Sequence, residues 1–346
     1  MAEKITVALD AMGGDNAPYE IVKGAAMAVN ELPELTVKLV GQTQAITDTL
    51  NKLKGENLPI DEARLLIVEA SEVITNDDAP VMAVRRKKDS SVVVAMRLVK
   101  NGEADAFISA GSTGAVLVGG QLLIGRLHGV ERSPLATLIP TANGVSLIID
   151  CGANVDSRAN HLVQYAKMGS LYMEHACGVK NPKVGLLNIG VEEEKGNALV
   201  KETYPLLKNR TDINFTGSIE ARQIPYGDAD VIVCDAFTGN CILKFYEGIA
   251  KVLLGKVKES IYANTRSKIG GALLKPSLKN TLATFDTSKF GGAPMLGLNK
   301  LVVKAHGSSK AKEIDAALHQ CVTFASEHID EFIREAIDKD NEVVGD

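Results

Sequence analysis

Small polar residues, carboxylates and glycines follow many of the short apolar runs in this chain. Examples are the segments Asp10–Asn16, Ser109–Gly114 and Asp235–Asn240. In an open parallel sheet, ligands bind beyond the carboxyl ends of the strands. One such cluster alone is equally typical of a turn. Their repetition after successive apolar runs predicts a crevice that is lined by the ends of several strands.

The segment Ser109–Gly114 is the best candidate for binding an anion. Its candidate phosphate-binding residues are Ser109, Gly111, Ser112, Thr113 and Gly114. Glycines allow backbone N–H groups to point at one centre, and a following helix adds the positive end of its dipole. A tight strand-to-helix turn capped by Ser or Thr has the same composition. The glycine spacing matches neither a P-loop nor a dinucleotide-binding fingerprint.

Other strand ends carry side chains that could act on a bound anion. Lys195 lies beside Glu192–Glu194, Asp235 and Asn240 lie around the start of a helix, and His306 follows another apolar run. A lysine among glutamates is often a solvated ion pair, and a lone histidine is often a structural hydrogen-bonding group. We expect Lys195, Asn240, His306 and Asp235 as candidate catalytic residues. Four residues are expected to orient the loops: Asp10, Asp15, Asn16 and Asn154.

The sequence lacks the motifs of a zinc site and of a serine nucleophile. The sequence contains no Cys-x-x-Cys or His-x-x-x-His spacing of a zinc site and no G-x-S-x-G nucleophile elbow. We therefore predict no metal site, no cofactor and no covalent serine intermediate.

Apolar runs alternate with helical patterns along the whole chain. Continuous runs such as Ile5–Leu9 and Val184–Leu187 are typical of strands that are buried on both faces of a parallel sheet. The pattern predicts an α/β fold, with a doubly wound, mostly parallel sheet and helices on both faces. Two apolar runs flanking Asn143-Gly144 predict an antiparallel hairpin near 134–150.

Domain boundaries are weakly marked because no long linker or repeat is present. We interpret residues 1–346 as a single α/β unit, a pattern compatible with two lobes that share one sheet. An apolar stripe predicts a last helix from about Ser309 to Ala336.

Two basic stretches stand out. The first consists of Arg85, Arg86, Lys87 and Lys88. The second, residues 244–280, holds eight basic and two acidic residues, a local charge of 8 − 2 = +6, with Ile269, Leu273 and Leu274 among its apolar residues. A basic amphipathic helical segment can lie on an anionic membrane surface. Solvated helix faces are the simpler interpretation of both stretches.

Composition narrows the class of protein. The 346 residues are 45% apolar and 23% charged, as in ordinary globular proteins. The net charge is 38 − 43 = −5, so no nucleic-acid partner is expected. Five cysteines, an odd number, indicate reduced thiols and a cytoplasmic location. Residues 106–125 carry no charge but are glycine-rich, which favours a buried strand, loop and helix start over a membrane span.

Taken in chain order, these clusters resemble the bacterial phosphate acyltransferase (PlsX) family over about residues 4–335. The motifs are Asp10–Pro18, Arg85–Ser91, Ser109–Ala115, Asp150–Asn154, Gly185–Gly190, Glu192 with Lys195 and Gly196, Asp235–Asn240, Lys244, Glu247–Gly248, Gly291–Leu298 and His306–Gly307. Among the departures, Ser218 and Gln223 stand where the family is expected to have Asn and Asp.

The resemblance implies a homodimeric cytoplasmic enzyme whose fold is similar to phosphotransacetylases and isopropylmalate-type dehydrogenases. It implies transfer of a long-chain acyl group from acyl carrier protein to inorganic phosphate. The acyl phosphate would serve phospholipid synthesis through a membrane acyltransferase of the PlsY type. The enzyme would associate peripherally with an anionic membrane, for which Ile269, Leu273 and Leu274 are the candidate insertion residues. Arg85–Lys88 is the candidate patch for the acidic carrier protein.

The chemistry of this reaction fits the residues. A thiolate leaves a thioester readily and phosphate is already anionic, so the enzyme must mainly hold the anion and stabilise the oxyanion. We expect Ser109–Gly114 to bind phosphate, Lys195 to neutralise phosphate or the oxyanion, and Asn240 to donate a hydrogen bond. The alternatives are a phosphotransacetylase-type enzyme, a decarboxylating dehydrogenase, or a non-catalytic module that binds acyl carrier or lipid.

Overall fold

The computed structural model describes residues 4–284 and 290–344. Its first elements are β1 (Ile5–Asp10), α1 (Tyr19–Glu31), β2 (Leu35–Gly41), α2 (Thr43–Gly55), β3 (Leu65–Glu69), α3 (Pro80–Arg86), α4 (Ser91–Lys100), β4 (Ala106–Ser109), α5 (Thr113–Gly119) and a π-helical turn (Gly120–Ile124).

The chain continues through a second group of elements. They are β5 (Ala136–Thr141), β6 (Gly144–Ile149), α6 (Ala159–His175), β7 (Val184–Asn188), α7 (Ala198–Lys208), β8 (Phe215–Glu220), a 3-10 turn (Ala221–Tyr226), β9 (Val231–Val233), α8 (Ala236–Tyr262), α9 (Thr265–Thr284), β10 (Ala293–Met295), β11 (Leu301–Lys304), α10 (Ala311–Ser326) and α11 (Ile329–Val344).

The chain folds into two compact units. Unit 1 comprises Met1–Thr137, Lys167–Lys180 and Ser288–Asp346, and unit 2 comprises Leu138–Ala166 and Asn181–Thr287. The described strands form two sheets, whereas the sequence pattern was compatible with lobes sharing one sheet. The predicted α/β class with mostly parallel strands is confirmed in each sheet.

The sheet of unit 1 has the strand order β10-β11-β4-β1-β2-β3. Only the β10–β11 pair is antiparallel. The apolar side chains of β1 are buried, including Val7 and Leu9, because helices cover the sheet. Leu9 lies opposite Leu39 of β2 and Ile108 of β4. This register places the next residue, Asp10, beside the end of β4.

The sheet of unit 2 has the order β5-β6-β9-β7-β8, and its pairs from β6 to β8 are parallel. Only two residues connect β5 to β6, and strands with so short a connection pair as an antiparallel hairpin. The hairpin that Asn143-Gly144 predicted is therefore confirmed. The strand ends of this sheet carry Asp150, Asn188, Glu220 and the pair Cys234-Asp235.

Two expectations about helices have different outcomes. Residues 106–125 form β4, a loop and α5, as predicted. The prediction of one last helix from about Ser309 to Ala336 is wrong, because α10 and α11 are separate helices. His328, just before α11, has a φ of 49°, and this left-handed conformation interrupts the helix although the apolar stripe continues. In the ranges 4–284 and 290–344, no helix is long and apolar enough to cross a bilayer.

Candidate active site

The first cluster of polar residues lies where β1 and β4 end side by side in unit 1. The Ser109 hydroxyl donates a 2.6 Å hydrogen bond to Asp10 Oδ2, and both side chains are buried. The backbone N–H of Met12 donates to the same carboxylate, at Oδ1. Burial raises the pKa of the Asp10 carboxyl above its usual value, and these hydrogen bonds lower it in part. Asp10 therefore acts as the buried anchor of the loop after β1.

The Asp10–Asn16 loop packs tightly against its neighbours. A Cβ atom on Gly13 would lie 2.3 Å from Asp10 Oδ2 and 2.7 Å from the Gly111 nitrogen, so only glycine fits there. The Asp15 N–H donates to the carbonyl of Gly307 at 2.8 Å. The Asn16 amide donates to the carbonyl groups of residues 308 and 309. The strand ends of β1, β4 and β11 thus form one connected cluster within unit 1.

His306 is exposed on the loop after β11. Its Nδ1 accepts the N–H of Ser308 at 3.2 Å and lies 2.9 Å from the Ser308 hydroxyl oxygen. Because Nδ1 is an acceptor, the neutral ring carries its proton on Nε2. The geometry leaves Nε2 as the ring nitrogen available for proton transfer.

The predicted phosphate-binding segment divides into two parts. The Ser109 hydroxyl is occupied by Asp10 and also accepts the N–H of Gly111 at 2.9 Å. Gly114 packs on α3, since a Cβ atom there would lie 2.5 Å from Pro80 Cγ. Ser112 and Thr113 lie at the start of α5, where the first N–H groups have no acceptor inside the helix. Ser109, Gly111 and Gly114 shape the loop, and the start of α5 presents the N–H groups.

In unit 2, a buried carboxylate organises the loop after β6. The Asp150 side chain accepts hydrogen bonds from the backbone N–H groups of Gly152, Ala153 and Asn154 at 2.8–3.0 Å. The Asn154 amide donates a further bond to Asp150 at 2.8 Å. The Asn154 carbonyl accepts the N–H of Ala236 at 3.1 Å. Asn154 thereby connects this loop to the start of α8.

The start of α8 lies very close to the same loop. A Cβ atom on Gly239 would be 2.0 Å from the Asp150 carbonyl oxygen, a distance that excludes any side chain. Asp235 caps the helix by accepting the N–H and the hydroxyl of Thr238 at 2.9 Å and 2.8 Å. Asn240, the fifth residue of α8, is exposed, and its amide has no hydrogen-bond partner in the described part of the chain. Asn240 is free to bind a ligand, whereas Asp235 is engaged by the helix.

Lys195 lies on the loop between β7 and α7. Its ammonium is 2.8 Å from Glu192, and each of these two side chains is 48% exposed. The Glu192 carboxylate raises the pKa of Lys195, and Lys195 in turn lowers the pKa of Glu192. The ion pair favours the charged form of the ammonium, and an incoming anion must compete with Glu192 for it.

Sequence reasoning missed Asn188, the last residue of β7. Its side chain is almost completely buried and makes three hydrogen bonds, two within the loop that carries Lys195 and one to Ser218 on β8. The sequence signals were its position, an amide at the end of a buried apolar run, and its place inside the motif Gly185–Gly190.

Ser218 and Gln223, which depart from the expected family pattern, both form hydrogen bonds within the fold. Ser218 accepts a hydrogen bond from Asn188. The Gln223 amide accepts the N–H of Glu220 at 2.9 Å and donates to Asp228, which closes the 3-10 turn. At both positions, an uncharged side chain therefore forms hydrogen bonds within unit 2.

The two basic stretches differ in how free their side chains are. Lys87 is occupied by Asp78 and by the carbonyl of Val73, at 2.7 Å and 2.9 Å. Arg85, Arg86 and Lys88 are exposed and form no ion pair with any residue that the structure describes. Three apolar residues of α9 are also exposed: Ile269 at 60%, Leu273 at 79% and Leu274 at 62%.

One group of potential metal ligands lies elsewhere. Glu31, Asp315 and His319 place ligand atoms within 4.8 Å of one another in the described residues. His319 Nε2 is 3.2 Å from the Glu31 carboxylate, so a hydrogen-bonded contact between α1 and α10 explains why these side chains lie together.

The sequence-predicted residues therefore fall into two groups, one on each sheet. Asp10, Asp15, Asn16, Ser109–Gly114 and His306 belong to unit 1. Asn154, Lys195, Asp235 and Asn240 belong to unit 2.

The fold is that of the phosphotransacetylases. The structure superposes with a TM-score of 0.61 on a phosphotransacetylase from Streptococcus pyogenes, with 19% sequence identity over 95% of this chain and 94% of that one. A branched-chain phosphotransacylase from Enterococcus faecalis V583 gives a TM-score of 0.56, with 17% identity over 94% of this chain and 99% of that one. These likenesses confirm the predicted phosphotransacetylase-like fold.

Sequence relatives identify the family. A model of the fatty acid synthesis protein family matches residues 5–331. A phosphate acyltransferase of Clostridium botulinum (strain Alaska E43 / Type E3) is 48% identical over 97% of this chain and 99% of its own length. A phosphate acyltransferase of Clostridium novyi (strain NT) is 45% identical over 96% and 98%. The chain belongs to the fatty acid synthesis protein family, as its motifs predicted.

Proposed function

We propose that this chain transfers a long-chain acyl group from acyl carrier protein to inorganic phosphate. The observation that carries the phosphate acyltransferase activity is the 48% identity, over nearly the whole chain, to a relative of that name. The chain is thus an acyltransferase enzyme. The acyl carrier protein as donor and the roles of single residues are our proposals.

The reaction needs little acid or base. A phosphate oxygen attacks the thioester carbonyl carbon, the C–S bond breaks, and the carrier leaves as a thiolate that takes up a proton from water. The products are acyl phosphate and the free carrier thiol. Since the leaving group is stable, catalysis rests on positioning the two reactants and stabilising the oxyanion.

In unit 1, we assign phosphate binding to the N–H groups at the start of α5, around Ser112 and Thr113. The support is their position at the end of β4, where Asp10 and Ser109 fix the preceding loop. Backbone N–H groups at a helix start favour an anion. His306 is the weaker candidate for proton transfer, through Nε2.

In unit 2, we assign charge neutralisation to Lys195 and hydrogen-bond donation to Asn240. Lys195 is held charged by Glu192 and remains half exposed. Asn240, the fifth residue of the 27-residue helix α8, has an amide without a hydrogen-bond partner among the described residues. Asp235, which caps that helix, is assigned a positioning role.

The carrier protein is proposed to dock on Arg85, Arg86 and Lys88. These three cations are exposed and form no ion pair in the described residues, and the exposed apolar side chains of Val81 and Met82 lie on α3 together with Arg85 and Arg86. Replacing the three cations by Gln should weaken binding of acyl carrier protein. Lys87→Gln should act through stability instead, because Lys87 is bonded to Asp78. Unchanged carrier binding by the triple variant would remove this assignment.

The enzyme is further proposed to be a cytoplasmic homodimer that touches an anionic membrane peripherally. The support for membrane contact is the exposed apolar and basic surface of α9. We propose that Ile269, Leu273 and Leu274 insert into the membrane. A PlsY-type membrane acyltransferase would then receive the acyl phosphate at the place where it is made.

The choice of acyl donor tests this proposal. The purified chain is given phosphate with palmitoyl-acyl carrier protein, palmitoyl-CoA or acetyl-CoA, and the acyl phosphate is trapped with hydroxylamine. We expect the carrier-bound palmitoyl group to be the best donor. A clear preference for acetyl-CoA would instead indicate a phosphotransacetylase. Tight binding of the acyl carrier without turnover would indicate a binding module.

A further inference from the structure

Asn188 joins three pieces of chain at the end of β7. Its Nδ2 donates one hydrogen bond to the Lys195 carbonyl and one to the Ser218 hydroxyl, each 3.1 Å long. Its Oδ1 accepts the N–H of Ile189 at 2.8 Å. The residue is only 9% exposed. Both amide hydrogens and the amide oxygen are thus used within the fold, as a buried amide requires.

The consequence concerns where Lys195 can lie. Residues 189–196 leave β7 and lead into α7, and such a loop would be mobile without fixed points. Asn188 fixes the loop at its start through Ile189 and near its end through the Lys195 carbonyl. Ser218 ties the same amide to β8, which pairs with β7 in parallel. The main chain of Lys195 is therefore held to the sheet itself.

We propose that Asn188 is a positioning residue for the acyl transfer: its amide holds the main chain of Lys195 so that the ammonium meets the reacting anion. This inference rests on the proposed function and on the role of Lys195 in it. Glu192 holds the side chain of Lys195 from the other end, through the 2.8 Å ion pair. Together they fix a long, flexible side chain at both its backbone and its charged end.

An amide is the side chain that this position needs. A carboxylate of the same shape keeps the acceptor for the Ile189 N–H but cannot donate to the Lys195 carbonyl, and two oxygens would then face each other. Asn188→Asp therefore releases the Lys195 end of the loop with little change in volume. Ser218→Ala removes only the anchor on β8 and serves as a second, milder variant.

A double-mutant cycle tests the proposal. The value of kcat/KM for phosphate is measured at saturating palmitoyl-acyl carrier protein for the wild type, Asn188→Asp, Lys195→Ala and the double variant. We expect Asn188→Asp to lower this value about tenfold, with little change in KM for the acyl donor. In the Lys195→Ala background the same change should have no further effect, because Asn188 acts through Lys195. Ser218→Ala should lower the value less, and only when Lys195 is present.

The control is Thr216→Val on the same pair of strands. The Thr216 hydroxyl donates to the Val184 carbonyl at 3.1 Å, so this change also costs one hydrogen bond between β7 and β8. It should leave kcat/KM unchanged. Multiplying effects of Asn188→Asp and Lys195→Ala, or an equal loss with Thr216→Val, would overturn the positioning role. A wild type without phosphate-dependent turnover would instead overturn the proposed function itself, and an unaffected Lys195→Ala would overturn both residue roles.

Discussion

The hydroxyl of Ser109 donates a 2.6 Å hydrogen bond to the carboxylate of Asp10, although 99 positions separate the two residues in the sequence. The bond joins the ends of β1 and β4, and both partners are buried. Asp10 and Ser109 are the last residues of these strands, and the segment that we assign to phosphate binding follows β4. The buried carboxylate has a raised pKa, which makes this contact measurable through the pH dependence of stability.

We predict how Asp10→Asn changes that pH dependence. The pKa of Asp10 is raised by burial in the folded protein, so the folded state binds its proton more tightly than the unfolded state does. Below the unfolded value of 3.8 the carboxyl is protonated in both states, and the contribution to stability is fully present. As the pH rises through the folded pKa, that contribution is lost.

The measurement is urea unfolding of both proteins from about pH 4 to about pH 8. The free energy of unfolding of the wild type, relative to Asp10→Asn, should fall as the pH rises above 3.8 and become constant once the pH exceeds the folded pKa of Asp10. A constant difference at all pH values, or a rising one, would show that Asp10 does not have a raised pKa.

Gly239→Ala should strongly destabilise the protein. The new Cβ atom would meet the Asp150 carbonyl oxygen at 2.0 Å, so α8 or the Asp150 loop must shift, at a cost of about 1–3 kcal/mol or more. Gly248 is the matched control, because it lies in the same helix with nothing within 4 Å of its added Cβ atom. Gly248→Ala should stabilise the helix by about 0.5–1 kcal/mol. Urea denaturation compares the two, and equal effects would contradict the close approach of α8 to Asp150.

Lys195→Ala should lower kcat/KM for phosphate about 100-fold, since it removes the charge that we place against the reacting anion. Lys208 provides the control. Lys208, the last residue of α7, forms a comparable half-exposed ion pair with Glu193. Because such pairs contribute little to stability, the kcat/KM of Lys208→Ala for phosphate should stay within about twofold of the wild-type value. If the two variants had equal activity with saturating acyl donor, Lys195 would have no catalytic role.

Leu274→Glu should reduce binding to anionic liposomes about tenfold or more, because it replaces an inserted apolar side chain by a charge. Leu206→Glu, at an exposed position of α7, should bind as the wild type does. Co-sedimentation with liposomes measures both. Unchanged binding by Leu274→Glu would exclude α9 as the docking surface.

Much of the fold could be predicted from the sequence. Buried strands such as β7 are apolar up to their last residue, and Asn143-Gly144 marks a hairpin, because both signals are local. The division into two sheets could not be predicted, since strand order depends on contacts between distant segments. The break at His328 was missed for another reason: the stripe of apolar residues continues on both sides of it.

The roles of the candidate site residues could be predicted only in part, because they also depend on contacts between distant segments. The clusters at the strand ends were visible, but composition does not distinguish a ligand-binding group from one that is bonded within the fold. Ser109 and Asp235 are occupied by Asp10 and Thr238, while Asn240 is free. Asn188 lies at the end of an apolar run and inside the motif Gly185–Gly190, but neither signal shows its role, which depends on the Lys195 carbonyl seven residues away.

Phosphate-dependent acyl transfer is tested most directly by the release of free thiol from palmitoyl-acyl carrier protein by the purified chain, with and without inorganic phosphate. We predict release that depends on phosphate, together with one hydroxylamine-reactive acyl phosphate per thiol. Thiol release at the same rate without phosphate would indicate hydrolysis and contradict the proposed acyl transfer. So would the absence of release from a protein that circular dichroism shows to be folded.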